Sequence, residues 1–137
     1  MDPSYARAAI SFLEAFLAWS QLQADIVGVA LVGSHARDTA SETSDVDLII
    51  LTLDIGKYVS NLDWLSLLGD LMESRLETWG RVQAVRAFYE NGLEIEYNFT
   101  EPEWAAMPID IGTDRVVSNG MKILYDPQGL LAALHKA

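Results

Sequence analysis

The chain has 137 residues, 50% of them hydrophobic and 21% charged, a balance that suits one globular domain and excludes a disordered or collagenous chain. Nine Lys and Arg against 20 Asp and Glu leave a net charge of −11, so a protein built to grip a nucleic-acid backbone is disfavoured. With no cysteine, disulfides, thiolate metal sites and cysteine nucleophiles are all excluded.

Residues 1–137 are read as a single domain. Met1-Asp2-Pro3-Ser4 lacks the basic stretch and cleavage site of a signal peptide. The apolar stretches are broken by Glu14, Asp25 and Arg37, short of the ~18 to 20 residues that a membrane helix needs. A cytoplasmic protein with no membrane contact is the expectation.

Residues 4–23 read as a helix, with Ser4 as a cap and Ala9, Ile10, Leu13, Phe16 and Leu17 at helical spacing. Phe12 and Trp19 widen its apolar face, which suits a deeply packed helix or a partner-facing one. Ile26 to Val32, a β-branched apolar run ending at Gly33-Ser34, predicts a buried strand. A short helical segment is expected from His35 to Ala40, then a second strand from Asp45 to Thr52. Residues 61–79 place Leu65, Leu68, Met72, Leu76 and Trp79 at helical intervals, which predicts a second amphipathic helix.

Val82–Glu90 and Leu93–Thr100 flank Asn91-Gly92, a strong signal for a hairpin whose two turn residues both take positive φ. In the second arm Leu93, Ile95, Tyr97 and Phe99 point one way, and Glu94, Glu96 and Asn98 the other. Pro102–Met107 reads as a loop or single turn, 116–125 as holding one more strand, and 127–135 as a closing helix. The fold class expected is α/β, a mixed sheet with an antiparallel hairpin, packed by helices. Trp64, Trp79 and Trp104 are core candidates, Trp104 with an option to stack on a ring. Arg81 and Arg86, on a strand near the proposed site, are expected on a solvated hairpin edge, with contact to nucleotide phosphates as the alternative, and His35 has no expected role in chemistry.

The chemistry concentrates in two segments. A strand that ends in Gly33-Ser34 and opens a helix leaves backbone N–H groups free, and with the helix dipole these make an anion site. Asp45 and Asp47 lie two apart on a strand, so both carboxylates leave one face. Such a pair repels unless a cation sits between them, and all-oxygen ligands select Mg²⁺ or Mn²⁺. Glu94 and Glu96 share a strand face too, and either supplies a third carboxylate if that strand lies beside Asp45 and Asp47. Three carboxylates beside a phosphate-binding turn are what two-metal phosphoryl or nucleotidyl transfer requires.

The string Gly33-Ser34-His35-Ala36-Arg37, a spacer, then Ser44-Asp45-Val46-Asp47-Leu48 resembles the signature of the DNA polymerase β nucleotidyltransferase superfamily. Its details are similar to the small prokaryotic branch, the minimal nucleotidyltransferases, and to aminoglycoside nucleotidyltransferases. The resemblance spans about residues 24–131, ending in Tyr125-Asp126-Pro127 and Gly129-Leu130-Leu131. It implies the palm-like nucleotidyltransferase fold, a nucleoside triphosphate such as ATP as donor, and Mg²⁺ or Mn²⁺ as cofactor. It implies that Gly33 and Ser34 hold the triphosphate, with Arg37 and Ser44 as further nucleotide contacts. Asp45 and Asp47 would ligate metal. Glu96, placed before Tyr97, would be the third ligand and general base in preference to Glu94. Two departures stand out: Asp38 where the small branch has Gly, and Glu where the third carboxylate is usually Asp.

Two functions follow. One is transfer of a nucleoside monophosphate, AMP from ATP, to a hydroxyl of a protein or small molecule. The other is a non-catalytic, antitoxin-like module that caps a helical toxin of the HEPN type. For the enzyme, the acceptor surface is expected from a second copy, from a partner protein or from a protein substrate itself, and nucleic acid is not the expected partner.

Overall fold

The computed structural model describes residues 3–33, 45–105, 116–117 and 120–136. Helix α1 (Pro3–Gln21) leads into β1 (Ile26–Val32), and β2 (Val46–Thr52) is followed by a one-turn helix α2 (Gly56–Val59). A 3₁₀ segment (Asp63–Leu67) precedes β3 (Leu71–Trp79), β4 (Val82–Tyr89) and β5 (Glu94–Thr100). A second 3₁₀ segment (Pro102–Ala105), β6 (Met121–Tyr125) and a third 3₁₀ segment (Ala132–Lys136) complete the described chain. Among the described residues no helix is long and apolar enough to cross a membrane.

The six strands form one sheet in the order β3-β4-β5-β2-β1-β6. β2 and β5 run parallel and the other neighbours antiparallel, so the sheet is mixed, as expected. β1 is buried at every position and β2 at all but Asp47, which follows from their central places and their apolar, β-branched sequences.

One face of the sheet carries the larger core. Tyr5, Ala9, Phe12 and Phe16 of α1 pack there on Leu31, Leu48, Tyr97 and Phe99. Rings supply much of the contact: Tyr58 stacks on Phe99 with centroids 4.9 Å apart, and Trp64 meets Tyr97 edge-on at 4.8 Å. Trp19 lies 5.3 Å from Trp64, so the wide apolar face of α1 is spent largely on intramolecular packing. Ile10, assigned to that face from its spacing, is 57% exposed, because the buried stripe runs through Tyr5, Ala9, Phe12, Phe16 and Ser20. The opposite face is covered at one end by Trp104, Ala105, Leu131 and Leu134, packed on Val32, Ile49 and Leu51. Trp104 is thus a core residue, and among the described residues no apolar cluster covers the other end of this face.

Residues 61–79 depart from the expected helix. After the 3₁₀ segment the chain passes Gly69-Asp70 and enters β3, the edge strand of the sheet. An edge strand exposed on both faces has no reason to alternate polar and apolar residues, so the period-2 signal is missing. The helical spacing of Leu68, Met72, Leu76 and Trp79 has no counterpart in burial: Met72, Leu76 and Trp79 are all more than half exposed. Trp79, read as a core candidate, lies at the end of β3 beside the two-residue turn Gly80-Arg81. The closing segment, expected as a helix over 127–135, is reduced to a 3₁₀ turn at Ala132–Lys136. The helix expected over 35–40 falls outside the described residues.

The hairpin is present but its loop is one residue longer than Asn91-Gly92 alone predicts. The Tyr89 N–H donates to Leu93 O and the Gly92 N–H to Tyr89 O, so Glu90, Asn91 and Gly92 all lie in the loop. Gly92 takes φ 91°, which fits a three-residue loop closed by a left-handed residue.

A polar clamp ties α1 and the loop that follows it to β2 and α2. Asp25 accepts hydrogen bonds from Thr52 Oγ1 (2.7 Å), Tyr58 OH (2.6 Å) and Lys57 Nζ (2.7 Å). Burial pushes the Asp25 carboxyl up, but the donors Lys57, Tyr58 and Thr52 outweigh it and hold it below the usual range. Its contribution to stability is therefore present above the unfolded-state pKa and is lost as pH falls through the lower folded value. Replacing Asp25 with Ala should cost about 1–3 kcal/mol at pH 7, as expected when buried donors lose their acceptor. Urea unfolding of the two chains at pH 7 and pH 3 checks this, and the difference should shrink at the lower pH.

Candidate active site

The open end of the sheet is where β1 leaves and where β2 and β5 begin. Asp47 on β2 pairs in register with Val32 on one side and with Glu96 of β5 on the other. Glu96 in turn pairs with Arg86 of β4, and Arg86 with Arg75 of β3. Register partners project from the same face of a sheet, so one row across four strands carries a carboxylate, a carboxylate and two guanidiniums. Asp45 immediately precedes β2 and joins the row's acidic end. Carboxylate oxygens of Asp45, Asp47 and Glu96 all lie within 4.8 Å of one another, and each residue is half-buried.

Gly33 sits against this cluster with φ 74°. A Cβ at that position would lie 2.6 Å from Asp47 Oδ2, so both the backbone and the contact require glycine. Asn98, on the same face as Glu96, is buried and donates from Nδ2 to the Leu48 carbonyl at 2.9 Å, bracing the parallel β2–β5 pair beside the site.

The electrostatics are those of crowded acids. Burial, then repulsion from and a hydrogen bond with Asp45, push the Asp47 carboxyl up to about 7, against the attraction of Arg86. Tyr5, at the start of α1, is raised by burial and then by the charges of Asp45 and Glu94, which sets the helix N-terminus close to the cluster.

Arg86 is the counter-charge. Its Nε donates to Glu77 Oε1 at 3.1 Å and its Nη1 to Asp45 Oδ2 at 3.1 Å. Nη1 also donates to Glu94, and Nη2 to Glu96. The side chain is 19% exposed, so the solvated hairpin edge expected for Arg86 is corrected: it is the hub of an ion network. Hydrogen bonds from these carboxylates outweigh burial and raise its pKa, so it remains a cation.

The residues singled out in the sequence divide as follows. Gly33, Asp45, Asp47 and Glu96 come together. Glu94 points to the same side but outside the converging trio, with Arg86 as its partner. Ser34, Arg37 and Ser44 lie outside the described residues, as does His35. Glu77 is missed because 61–79 reads as a helix, and the ionic role of Arg86 because a two-residue Asn91-Gly92 turn would pair it with Tyr97, on the opposite face. The extra loop residue, Glu90, moves Arg86 opposite Glu96 instead.

An all-oxygen trio of this size suits a hard divalent cation such as Mg²⁺ or Mn²⁺. The comparisons agree with this geometry. A family model described as a nucleotidyltransferase domain matches residues 13–71. An aminoglycoside 6-adenyltransferase from Bacillus subtilis superposes with a TM-score of 0.56 at 17% identity, over 69% of this chain and 35% of that one. This chain has the nucleotidyltransferase fold.

A cytoplasmic RNA terminal U-transferase shares the fold with a TM-score of 0.51 and 16% identity, over 72% of this chain and 30% of the other. The Cid1 poly(U) polymerase, with Mg and 3′-dATP bound, does so at 0.50 and 14%, over 72% and 32%. The resemblance to the polymerase β-like nucleotidyltransferase superfamily, first carried by Gly33-Ser34 and Asp45-x-Asp47, is thus supported by fold and family match together. The chain spans about a third of the length of these structures: 35%, 30% and 32%. No curated protein sequence matches it.

Two outcomes test the site. The folded-state carboxyl of Asp47 is raised, so its contribution is present below the unfolded pKa and lost as pH rises through about 7. Asp47→Asn, which cannot ionise, should melt about 3–6 °C above wild type at pH 8 in EDTA, the scale of roughly 1 kcal/mol. The gain should fade at pH 5. Gly33→Ala should destabilise by about 1–2 kcal/mol through the left-handed backbone alone, and should also weaken Mn²⁺ binding by displacing Asp47.

Proposed function

We propose that the protein is a metal-dependent nucleotidyltransferase that moves AMP from ATP to a hydroxyl of a protein or small-molecule acceptor. The convergence of Asp45, Asp47 and Glu96 beside Gly33 carries this reading. The adenyltransferase name of one structural neighbour supports an adenylyl donor. A net charge of −11 argues against RNA as acceptor, although two neighbours are named for uridylyl transfer or poly(U) synthesis.

In the reaction the acceptor oxygen attacks the α-phosphorus, the bond from that phosphorus to the bridging oxygen breaks, and pyrophosphate leaves. Asp45, Asp47 and Glu96 would hold Mg²⁺ or Mn²⁺, which supplies charge neutralisation at the phosphates and lowers the pKa of the attacking hydroxyl. On this reading Glu96 takes the hydroxyl proton, and Gly33 and Ser34 are assigned to the triphosphate on the family resemblance. Arg37 and Ser44 are assigned to the same nucleotide on the family resemblance. A cytoplasmic location, where ATP and Mg²⁺ are abundant, belongs to the same reading.

A second reading, a module that caps a helical partner without catalysis, is favoured by the edge strand β3. Met72, Leu76 and Trp79 stand exposed there, a surface suited to a partner or a second copy. Calorimetric titration of ATP with and without Mg²⁺ separates the two. Metal-dependent binding that disappears in Asp45→Asn/Asp47→Asn, with circular dichroism unchanged, is expected for the transferase. Biological activity that survives the double substitution would leave the capping module as the function.

A further inference from the structure

Arg86 stands where an incoming metal ion must compete with it. Its guanidinium donates to Asp45 and Glu96, two of the three carboxylates that converge at the candidate metal site. It also donates to Glu77 and Glu94, neither of which belongs to that trio. The four acceptors therefore form two pairs, one inside the metal cluster and one outside it. Glu77 comes from β3 and bonds Nε, while Glu94 opens β5 and bonds Nη1.

The arrangement has a clear electrostatic logic. Three carboxylates at this spacing repel one another, and a buried guanidinium is the cheapest internal remedy. Arginine does not deprotonate in proteins, so it yields to another cation only by shifting its bonds. The outer pair makes that shift feasible: with Asp45 and Glu96 taken, Glu77 still accepts from Nε and Glu94 from Nη1.

On the reading of Asp45, Asp47 and Glu96 as metal ligands, we propose that Arg86 is a built-in counter-cation that competes with the divalent ion for Asp45 and Glu96. In this scheme Glu77 and Glu94 are its anchors. Arg86 is thus a positioning residue that sets the metal concentration at which the site fills, and Glu94 acts through it rather than as a ligand.

The test compares wild type with Arg86→Met by Mn²⁺ titration, following free Mn²⁺ by electron paramagnetic resonance. Removing a unit charge next to the ion should tighten Mn²⁺ binding about tenfold or more. The variant should also melt lower than wild type in EDTA and regain most of the loss when Mn²⁺ is added. A merely structural arginine would lower the melting temperature without tightening the metal. Equal or weaker Mn²⁺ binding by folded Arg86→Met overturns the proposal. Nitrogen-15 spectra of the wild-type arginine Nε–H groups give a second readout that needs no variant to fold. The Arg86 signal should move as Mg²⁺ saturates the site, and a signal that stays in place overturns the proposal as well. Absence of Mn²⁺ binding in both chains would instead remove the metal-site reading on which the proposal rests.

Discussion

The site depends on the register of one strand. β5 lies between β2, to which it runs parallel, and β4, to which it runs antiparallel, and both pairings pass through Glu96. In-register neighbours on a sheet sit about 5 Å apart with side chains on the same face. That geometry alone sets Glu96 beside Asp47 on one flank and Arg86 on the other. A slip of one residue against β2 would turn Glu96 into the core and bring Ile95 or Tyr97 to the metal cluster, and a slip against β4 would carry Arg86 to the far face. The slip is opposed by the core itself, because Ile95, Tyr97 and Phe99 are fully buried on the far face.

The same sheet separates two kinds of energetics. Its α1 face is apolar and ring-rich, the main source of cohesion. On the other face Trp104, Leu131 and Leu134 cover one end, and at the other end the described residues collect charge. Charge held there is poorly solvated yet close to its partners, so each carboxylate feels its neighbours strongly. A glycine without room for a side chain, an amide bracing the parallel pair and a guanidinium amid carboxylates all serve to hold that unfavourable density of charge in one place. Concentrated negative charge with one internal counter-ion is a poor structural choice and a good receptor for a divalent cation.

Legibility in the sequence followed burial. The strands Ile26–Val32 and Val46–Thr52 are central and apolar, so their composition alone marks them, and Glu94–Thr100 alternates because one of its faces is core and the other is site. β3 has neither property, and its apolar residues fall at helical spacing without being buried, so local pattern pointed to the wrong element. Only its pairing with β4 makes it a strand. The hairpin shows the finer version of the same effect: Asn91-Gly92 marks the turn, but whether Glu90 joins the loop depends on the Tyr89–Leu93 pairing.

By itself the sequence determined the chemistry on offer: a Gly-Ser pair at a strand end, two aspartates on one strand face, two glutamates on another, and no cysteine. These are local facts, readable because side chains alternate along a strand and because glycine permits a left-handed backbone. Residue alternation left Glu94 and Glu96 equal, and only the family resemblance preferred Glu96; tertiary structure alone set Glu96 beside Asp47 and brought Arg86 and Glu77 into the cluster. Those choices turn on the alignment of strands distant in sequence, and a single residue of loop length reverses the face on which a side chain emerges.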